Sequence, residues 1–301
     1  MAKAHYPSIH NLLLGAEIKF IQGRKYRTRV IEMGEGEPLV CIHGVGGHAE
    51  AYSRNMRQLA RHFRVLAIDA VNHGFSQKDT STNDFMDQYV DQVIDLLDAI
   101  GARQACLEGE SMGGWIGMHV GLRHPERLKR LVLNTAAGVR FDEDQVHVDH
   151  IGGMKALADR SIAAISNPNP ETVRKRLEWL MAWPDRVTDE LVDLRLQLYS
   201  RPDVQHGLKH VFSTHFYGEH AERYQIRESE LKNLKVPTLA LWSDKNPGTG
   251  PAAGERLSRL IPGAQYYCIA DAGHWPQWEQ PEDHDQAVIS FLTSSAPVAA
   301  G

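Results

Sequence analysis

Cysteine is scarce in this chain: 301 residues contain three, Cys41, Cys106 and Cys268. Each falls in an apolar run that reads as a buried strand. They are expected to be small core residues of a reduced protein, not a disulfide frame. No run of 18 apolar residues occurs, so no membrane-spanning helix is expected. Basic residues are not in excess; 33 Lys and Arg against 38 Asp and Glu give a formal charge of −5. That balance argues against nucleic acid or an anionic membrane surface as a partner, because both are bound through basic patches. The opening Met1-Ala2-Lys3-Ala4-His5-Tyr6-Pro7 lacks the apolar centre of a signal peptide, and a cytoplasmic location is expected. No G-x-G-x-x-G follows the first strand and no Walker motif is present, so no cofactor is implied. His43 and His48 lie close together, but without a cluster of carboxylates or cysteines no metal site is expected. Neither a repeat nor a low-complexity segment is visible, and Ser294 to Gly301 reads as a frayed tail.

What is present is an ordinary globular balance, 42% apolar and 24% charged, in a chain long enough for one α/β domain with an insertion. Residues 17–22 and 26–33 read as an opening antiparallel pair. Strands at 39–42 and 64–68 follow, with a helix at 49–61 between them. In the next helix, 83–100, the apolar residues Phe85, Met86, Tyr89, Val90, Val93, Leu96, Leu97 and Ile100 recur every three or four positions. Strands at 104–107 and 130–133 complete a βαβα rhythm, which implies a mostly parallel sheet covered by helices on both faces. From about Val139 to Glu230 the rhythm breaks. Helices are expected at 152–165, 171–181, 189–199 and around 204–224, with Thr188 capping the third. Strand and helix resume at 236–242, 252–260, 265–269 and 282–291. The expected division is core 1–138, helical lid 139–232 and core 233–301. The lid residues Met154, Trp179, Met181, Trp183, Tyr199, Phe212, Phe216 and Tyr217 either line a pocket or, for the most part, fill the lid's own core.

Within this frame, Gly109-Glu110-Ser111-Met112-Gly113 has the Gly-x-Ser-x-Gly form of a nucleophile elbow, between an apolar strand and the helix-like Gly114 to Leu122. A serine on so sharp a turn projects from the sheet edge, and the glycines let strand and helix approach. Upstream, Leu39-Val40-Cys41-Ile42 runs into His43-Gly44-Val45-Gly46-Gly47-His48. A glycine-rich loop there supplies one oxyanion donor and the residue after the nucleophile supplies the other, which designates the amides of Val45 and Met112. Downstream, His274 follows the strand-like Tyr266-Tyr267-Cys268-Ile269 and suits a general base arriving last in the order Ser, acid, His. The acid is open. Asp244 is the expected member, Asn246 the alternative orienter, and Asp142 and Asp144 are remoter candidates. Asp69 is expected to pin loops near the site, and His43 to pack under the glycine loop.

Taken together, these motifs resemble the α/β-hydrolases with a helical cap, over roughly residues 25 to 295. Within that fold the chain is similar to the hydrolases that cleave carbon–carbon bonds of meta-cleavage products in aromatic catabolism. Their Gly-His-Trp-x-Gln-Trp-Glu motif matches Gly273-His274-Trp275-Pro276-Gln277-Trp278-Glu279. The segment Ser111-Met112-Gly113-Gly114, followed by His124-Pro125-Glu126-Arg127-Leu128, is also similar. The resemblance carries the family's substrate-binding lid arginine onto Arg195, in Glu190-Leu191-Val192-Asp193-Leu194-Arg195. It makes Arg195, Glu110, Gly44 and Trp275 the candidates to touch substrate.

The chain also departs from that pattern. Glu110 stands where the family carries an asparagine that helps hold the substrate's carboxylate; a glutamate repels an anion unless it is protonated or paired. The glycine loop lacks the longer Gly-Pro-Gly-Ala form. The family's aspartate position, four residues after Trp242, is Asn246.

The expected chemistry is attack by Ser111 on a carbonyl, with His274 moving protons. The substrate class is a 2-hydroxy-6-oxo-dienoate. The rivals are a carboxylesterase or lactonase acting on a neutral apolar ester, and a non-catalytic binding protein on the same fold. The expected partner is a small molecule, with the assembly open between monomer and homodimer.

Overall fold

The computed structural model describes residues 6–142, 152–215 and 219–294. Its main element is an eight-stranded sheet. In chain order the strands are β1 (Glu17–Gln22), β2 (Arg27–Met33), β3 (Pro38–Ile42), β4 (Arg64–Ile68), β5 (Ala105–Glu110), β6 (Leu128–Asn134), β7 (Thr238–Ser243) and β8 (Gln265–Ile269). Their spatial order is β1-β2-β4-β3-β5-β6-β7-β8. The first two pairings, β1 with β2 and β2 with β4, are antiparallel; all the others are parallel. The central strand β5 is buried along its whole length, as a strand covered on both faces must be. The chain adopts the α/β-hydrolase fold with a mostly parallel sheet.

Packing on the sheet's faces follows from the apolar periodicity. Helix α1 (Phe85–Ala99) buries Phe85, Met86, Tyr89, Val90, Val93, Leu96 and Leu97 as its spacing predicts. Its Phe85 ring meets Trp115 of α2 (Met112–Arg123) edge-on, with centroids 5.6 Å apart. The lid helices are α3 (Gly152–Ser166), α4 (Pro170–Glu178), α5 (Asp189–Tyr199), α6 (Pro202–His215) and α7 (Glu219–Tyr224). Thr188 caps α5, its side chain accepting from the Leu191 N–H. Leu177, Leu180, Met181, Leu191, Tyr199 and Phe212 of the lid share one apolar cluster with Leu39, Leu241 and Ile269 of the sheet. They therefore extend the core of one sheet face and do not close a separate core in the lid. Trp183 is 46% exposed and belongs to neither. Phe216, Tyr217 and Asp144 lie outside the described residues, as does the side chain of Met154.

Three local expectations change. The helix expected at 49–61 is two short pieces, a 3-10 turn at Ala49–Tyr52 and a helix at Met56–Leu59. The buried polar anchors of this segment account for the break. Asp69 Oδ1 accepts from the Ala49 N–H (2.8 Å), Arg29 pairs with Glu50 (2.6 Å), and the Asn55 amide donates to Gln277 O (3.0 Å) and Asp285 (2.8 Å). The stretch expected to lack strands contains two among the described residues, Val139–Arg140 and Ile226–Arg227, which pair in parallel. Finally, Cys268 is only half-buried, because β8 is an edge strand, whereas Cys41 and Cys106 are buried as expected.

Candidate active site

The carboxyl ends of β3, β5, β7 and β8 all face the same edge of the parallel sheet, where α/β folds gather their sites. Ser111 follows β5 directly, with φ 54° and ψ −112°, a region that residues other than glycine rarely adopt. The turn holds because its flanks are bare. A Cβ on Gly109 would lie 2.1 Å from the Gly113 carbonyl group, and one on Gly113 would lie 2.1 Å from Ile42 O. Among the described residues, the Ser111 hydroxyl makes no hydrogen bond, and neither do the backbone N–H groups of Met112 and Val45. Free amides and a free hydroxyl are the parts from which an acyl-transfer site is built.

His274 sits in the loop after β8. Its Nδ1 is 2.7 Å from Asn246 Oδ1. The Asn246 amide nitrogen donates to Thr249 O (2.7 Å) and Thr249 Oγ1 (3.0 Å), which fixes the amide with its oxygen toward the ring. That oxygen only accepts, so Nδ1 carries the proton and Nε2 presents a lone pair. Asp244, the expected acid, is not at the ring. It is exposed, accepts from the Ala272 N–H (3.2 Å) and pairs with Lys245 (3.0 Å). The backbone explains the exchange. The Asp244 N–H donates to Ile269 O, continuing the ladder one residue past the strand, and the turn that follows brings position 246 inward. Asp142 is remote as well, facing Glu228 and Arg256. Burial, with Arg176 as the next cause, pushes the His274 imidazole down to about 3.

Glu110 points into the same space. Its Oε2 accepts from the Gly44 N–H at 2.5 Å, and its Oε1, otherwise without a partner, lies 3.3 Å from His274 Nε2. A Cβ on Gly44 would meet this carboxyl at 2.5 Å, which is why a glycine stands there. Burial pushes the Glu110 carboxyl up to about 8, against the Gly44 N–H, Arg176, Arg195 and the Trp275 side chain, which all lower it. Glu110 therefore keeps its proton below about pH 8. The repulsion expected between Glu110 and an anion is removed by that proton.

The lid contributes two fully buried arginines. Arg195 Nη1 donates to Gly46 O (2.6 Å) and to the Tyr199 hydroxyl (3.1 Å), and its guanidinium lies over Trp275, 5.5 Å from the ring centroid. Arg176, which the motifs gave no reason to single out, donates from Nε to Ser161 Oγ (2.7 Å) and from Nη2 to Val45 O (3.4 Å). Among the described residues, Arg195 Nε and Nη2 and Arg176 Nη1 are buried without partners. Of the lid aromatics, Trp179 stands beside the histidine, with ring centroids 6.4 Å apart.

The motif after His274 is a clamp. Glu279 accepts from the Gly273 N–H (2.5 Å) and the Ala182 N–H (2.9 Å) and pairs with Arg186 (3.1 Å). The His274 N–H itself donates to the lid carbonyl of Leu180 at 2.6 Å. Below the glycine loop, His43 packs as expected. Its Nε2 accepts from the Ala70 N–H (3.1 Å), which leaves Nδ1 to donate to Gly44 O (2.7 Å). Asp69 joins two loops, accepting from the Ala49 and Phe75 N–H groups at 2.8 Å each. Among the described residues no cluster of metal-ligating side chains is found, and no helix is long and apolar enough to cross a membrane.

Known proteins share the fold that carries this site. The family model for the alpha/beta hydrolase fold matches residues 37–281. A 2-hydroxymuconate semialdehyde hydrolase of Pseudomonas putida is 29% identical over 275 residues, covering 90% of this chain and 92% of that protein. A 2-hydroxy-6-oxo-2,4-heptadienoate hydrolase of another Pseudomonas putida strain is 27% identical, covering 89% and 93%. Among solved structures, a serine-to-alanine mutant of the meta-cleavage product hydrolase from Pseudomonas fluorescens IP01, complexed with acetates, superposes with a TM-score of 0.78. It is 28% identical and covers 94% of this chain and 100% of that one.

Proposed function

The chain belongs to the α/β-hydrolase family and is a hydrolase, and from that premise we propose that it cleaves a carbon–carbon bond of a 2-hydroxy-6-oxo-dienoate, using Ser111 as nucleophile. His274 Nε2 takes the Ser111 proton, the Val45 and Met112 amides hold the oxyanion, the carbon–carbon bond breaks as the imidazolium protonates the leaving carbon, and a water deprotonated by the same imidazole then hydrolyses the acyl ester and restores Ser111. Because that group departs as a carbanion, the diene is first protonated to its keto form, and His274 carries that proton. Arg195 withdraws electrons from the dienoate end. The observation that carries this reading is the pair of buried guanidiniums with unused donors over the glycine loop, beside a carboxyl that keeps its proton. Such a pocket is electrically incomplete until an anion enters it. The similarity to hydrolases named for dienoate and semialdehyde substrates supports the same substrate class.

A second reading, hydrolysis of a neutral apolar ester by the same serine, is favoured by Glu110 if it ionises in the site. Steady-state kinetics of the wild type and Glu110→Asn on a dienoate and on p-nitrophenyl esters separate the two. Turnover of the dienoate with kcat/KM well above the esters supports carbon–carbon cleavage. Ester cleavage by both proteins with no dienoate turnover by either overturns it.

A further inference from the structure

We propose that Arg176 is a specificity-determining residue: with Arg195 it forms a two-guanidinium clamp that holds one carboxylate of the substrate over the glycine loop. The proposal deepens the reading above and rests on it for the substrate class. Arg176 is 2% exposed and Arg195 1%, and each is tied by one nitrogen to a carbonyl of the same loop, Val45 O and Gly46 O. Adjacent carbonyls hold the two groups side by side. Each tie leaves donors buried and unused, Nη1 on Arg176 and Nε and Nη2 on Arg195. A buried guanidinium without an acceptor is costly, so the arrangement persists because something else completes it. No carboxylate of the described chain does so. Glu110, the acidic group beside Arg176, accepts from the Gly44 N–H with one oxygen, and its other oxygen faces the His274 ring. A planar carboxylate meets guanidinium donors in a fork, with charge-assisted bonds.

Arg176 also has its own position. It is the charged neighbour that depresses His274, whereas Arg195 bears on His43, His48 and His73. Glu110, directly before the serine, repels an anion when ionised. The second arginine supplies an anion contact from the lid side.

The test uses binding, not turnover. In the Ser111→Ala protein, calorimetric titration compares cinnamate, a small unsaturated carboxylate, with cinnamamide, its neutral counterpart. Cinnamate is expected to bind about tenfold or more tightly than cinnamamide, the worth of one charge-assisted hydrogen bond. Adding Arg176→Met should remove about that factor for cinnamate and leave cinnamamide unchanged. Arg176→Lys, which keeps the charge and loses the fork, should weaken cinnamate several-fold. Thermal unfolding of Arg176→Met should not fall, because a buried unpaired charge has been removed. Equal losses for both ligands, unchanged cinnamate affinity in either variant, or no cinnamate binding to Ser111→Ala would overturn the clamp. A wild type that discriminates cinnamate through Arg176 yet does not turn over the dienoate would overturn the proposed reaction and leave the clamp standing.

Discussion

Glu110 Oε1 lies 3.3 Å from His274 Nε2, the ring nitrogen that takes the Ser111 proton in the proposed mechanism. Among the described residues, the group hydrogen-bonded to the opposite nitrogen is a neutral amide, Asn246. The carboxyl nearest the imidazole has thus moved from the orienting side of the ring to the reacting side.

Glu110 should therefore shape the alkaline limb of the reaction. Below about pH 8 it holds its proton; above that, a carboxylate faces both Nε2 and any anionic substrate. We expect kcat/KM for a dienoate to fall as pH rises through about 8, and Glu110→Gln to abolish that limb. The same shift has a stability sign. A carboxyl whose pKa is raised on folding stabilises the fold below its unfolded value of 4.5, and that contribution is lost as pH rises toward 8. Glu110→Gln should consequently gain stability over the wild type at pH 9 relative to pH 5. A limb that survives in Glu110→Gln would show another group to be its source.

Ser111 and His274 should act as a unit. Ser111→Ala and His274→Ala are each expected to lower kcat about 10³-fold or more, and the double variant to be scarcely worse than either. Additive losses in log kcat would refute the pairing. Ser111→Gly should be equally inactive yet more stable by about 1–2 kcal/mol, because the strained backbone at φ 54° suits glycine. Chemical denaturation measures that difference.

Asn246→Asp places a charge against His274 Nδ1–H and should raise the imidazole from about 3, moving the acid limb of the rate profile upward. Because an imidazolium is stabilised better by a carboxylate than by an amide, kcat should increase. Asp244→Asn should leave kcat within about twofold, since Asp244 bonds the Ala272 N–H and Lys245. A large loss for Asp244→Asn would reverse the assignment.

Beneath the site, His284 is fully buried between Glu108 (2.7 Å) and Asp285 (3.0 Å). Although burial is the largest single influence and lowers it, Glu108 and Asp285 together push the imidazole up to about 10. A raised histidine stabilises below its unfolded value, 6.5, and the contribution is lost as pH rises through about 10. His284→Leu should cost about 3–5 kcal/mol near neutral pH by leaving two carboxyl groups facing each other, and the cost should shrink by pH 10. Denaturation at the two pH values checks it; a cost that does not change with pH would refute a charged His284.

What was legible in the sequence was local. The elbow is five consecutive residues whose strain and bare flanks can be read from Gly109, Ser111 and Gly113. Asn246 and Asp244 are separated by two positions in a turn whose direction is set from outside, by Ile269 O and Thr249. Periodicity gives no information on such a choice. Arg176 was invisible for a related reason. In Pro170–Glu178 it is one of several basic residues, and only the docking of the lid buries it while Arg174 and Lys175 stay outside. The helix expected at 49–61 failed because Asn55 and Glu50 bond to distant chain segments, which a local pattern does not record.

Glu279 binds the Gly273 N–H with one oxygen and the Ala182 N–H with the other, and the His274 amide hangs from Leu180 O. Lid and base are therefore interlocked like a door and its safety switch. A lid displaced far enough to admit bulk water breaks the bonds that seat the imidazole. In the proposed mechanism Ser111 is armed only behind a closed door, and an open enzyme is a disarmed one.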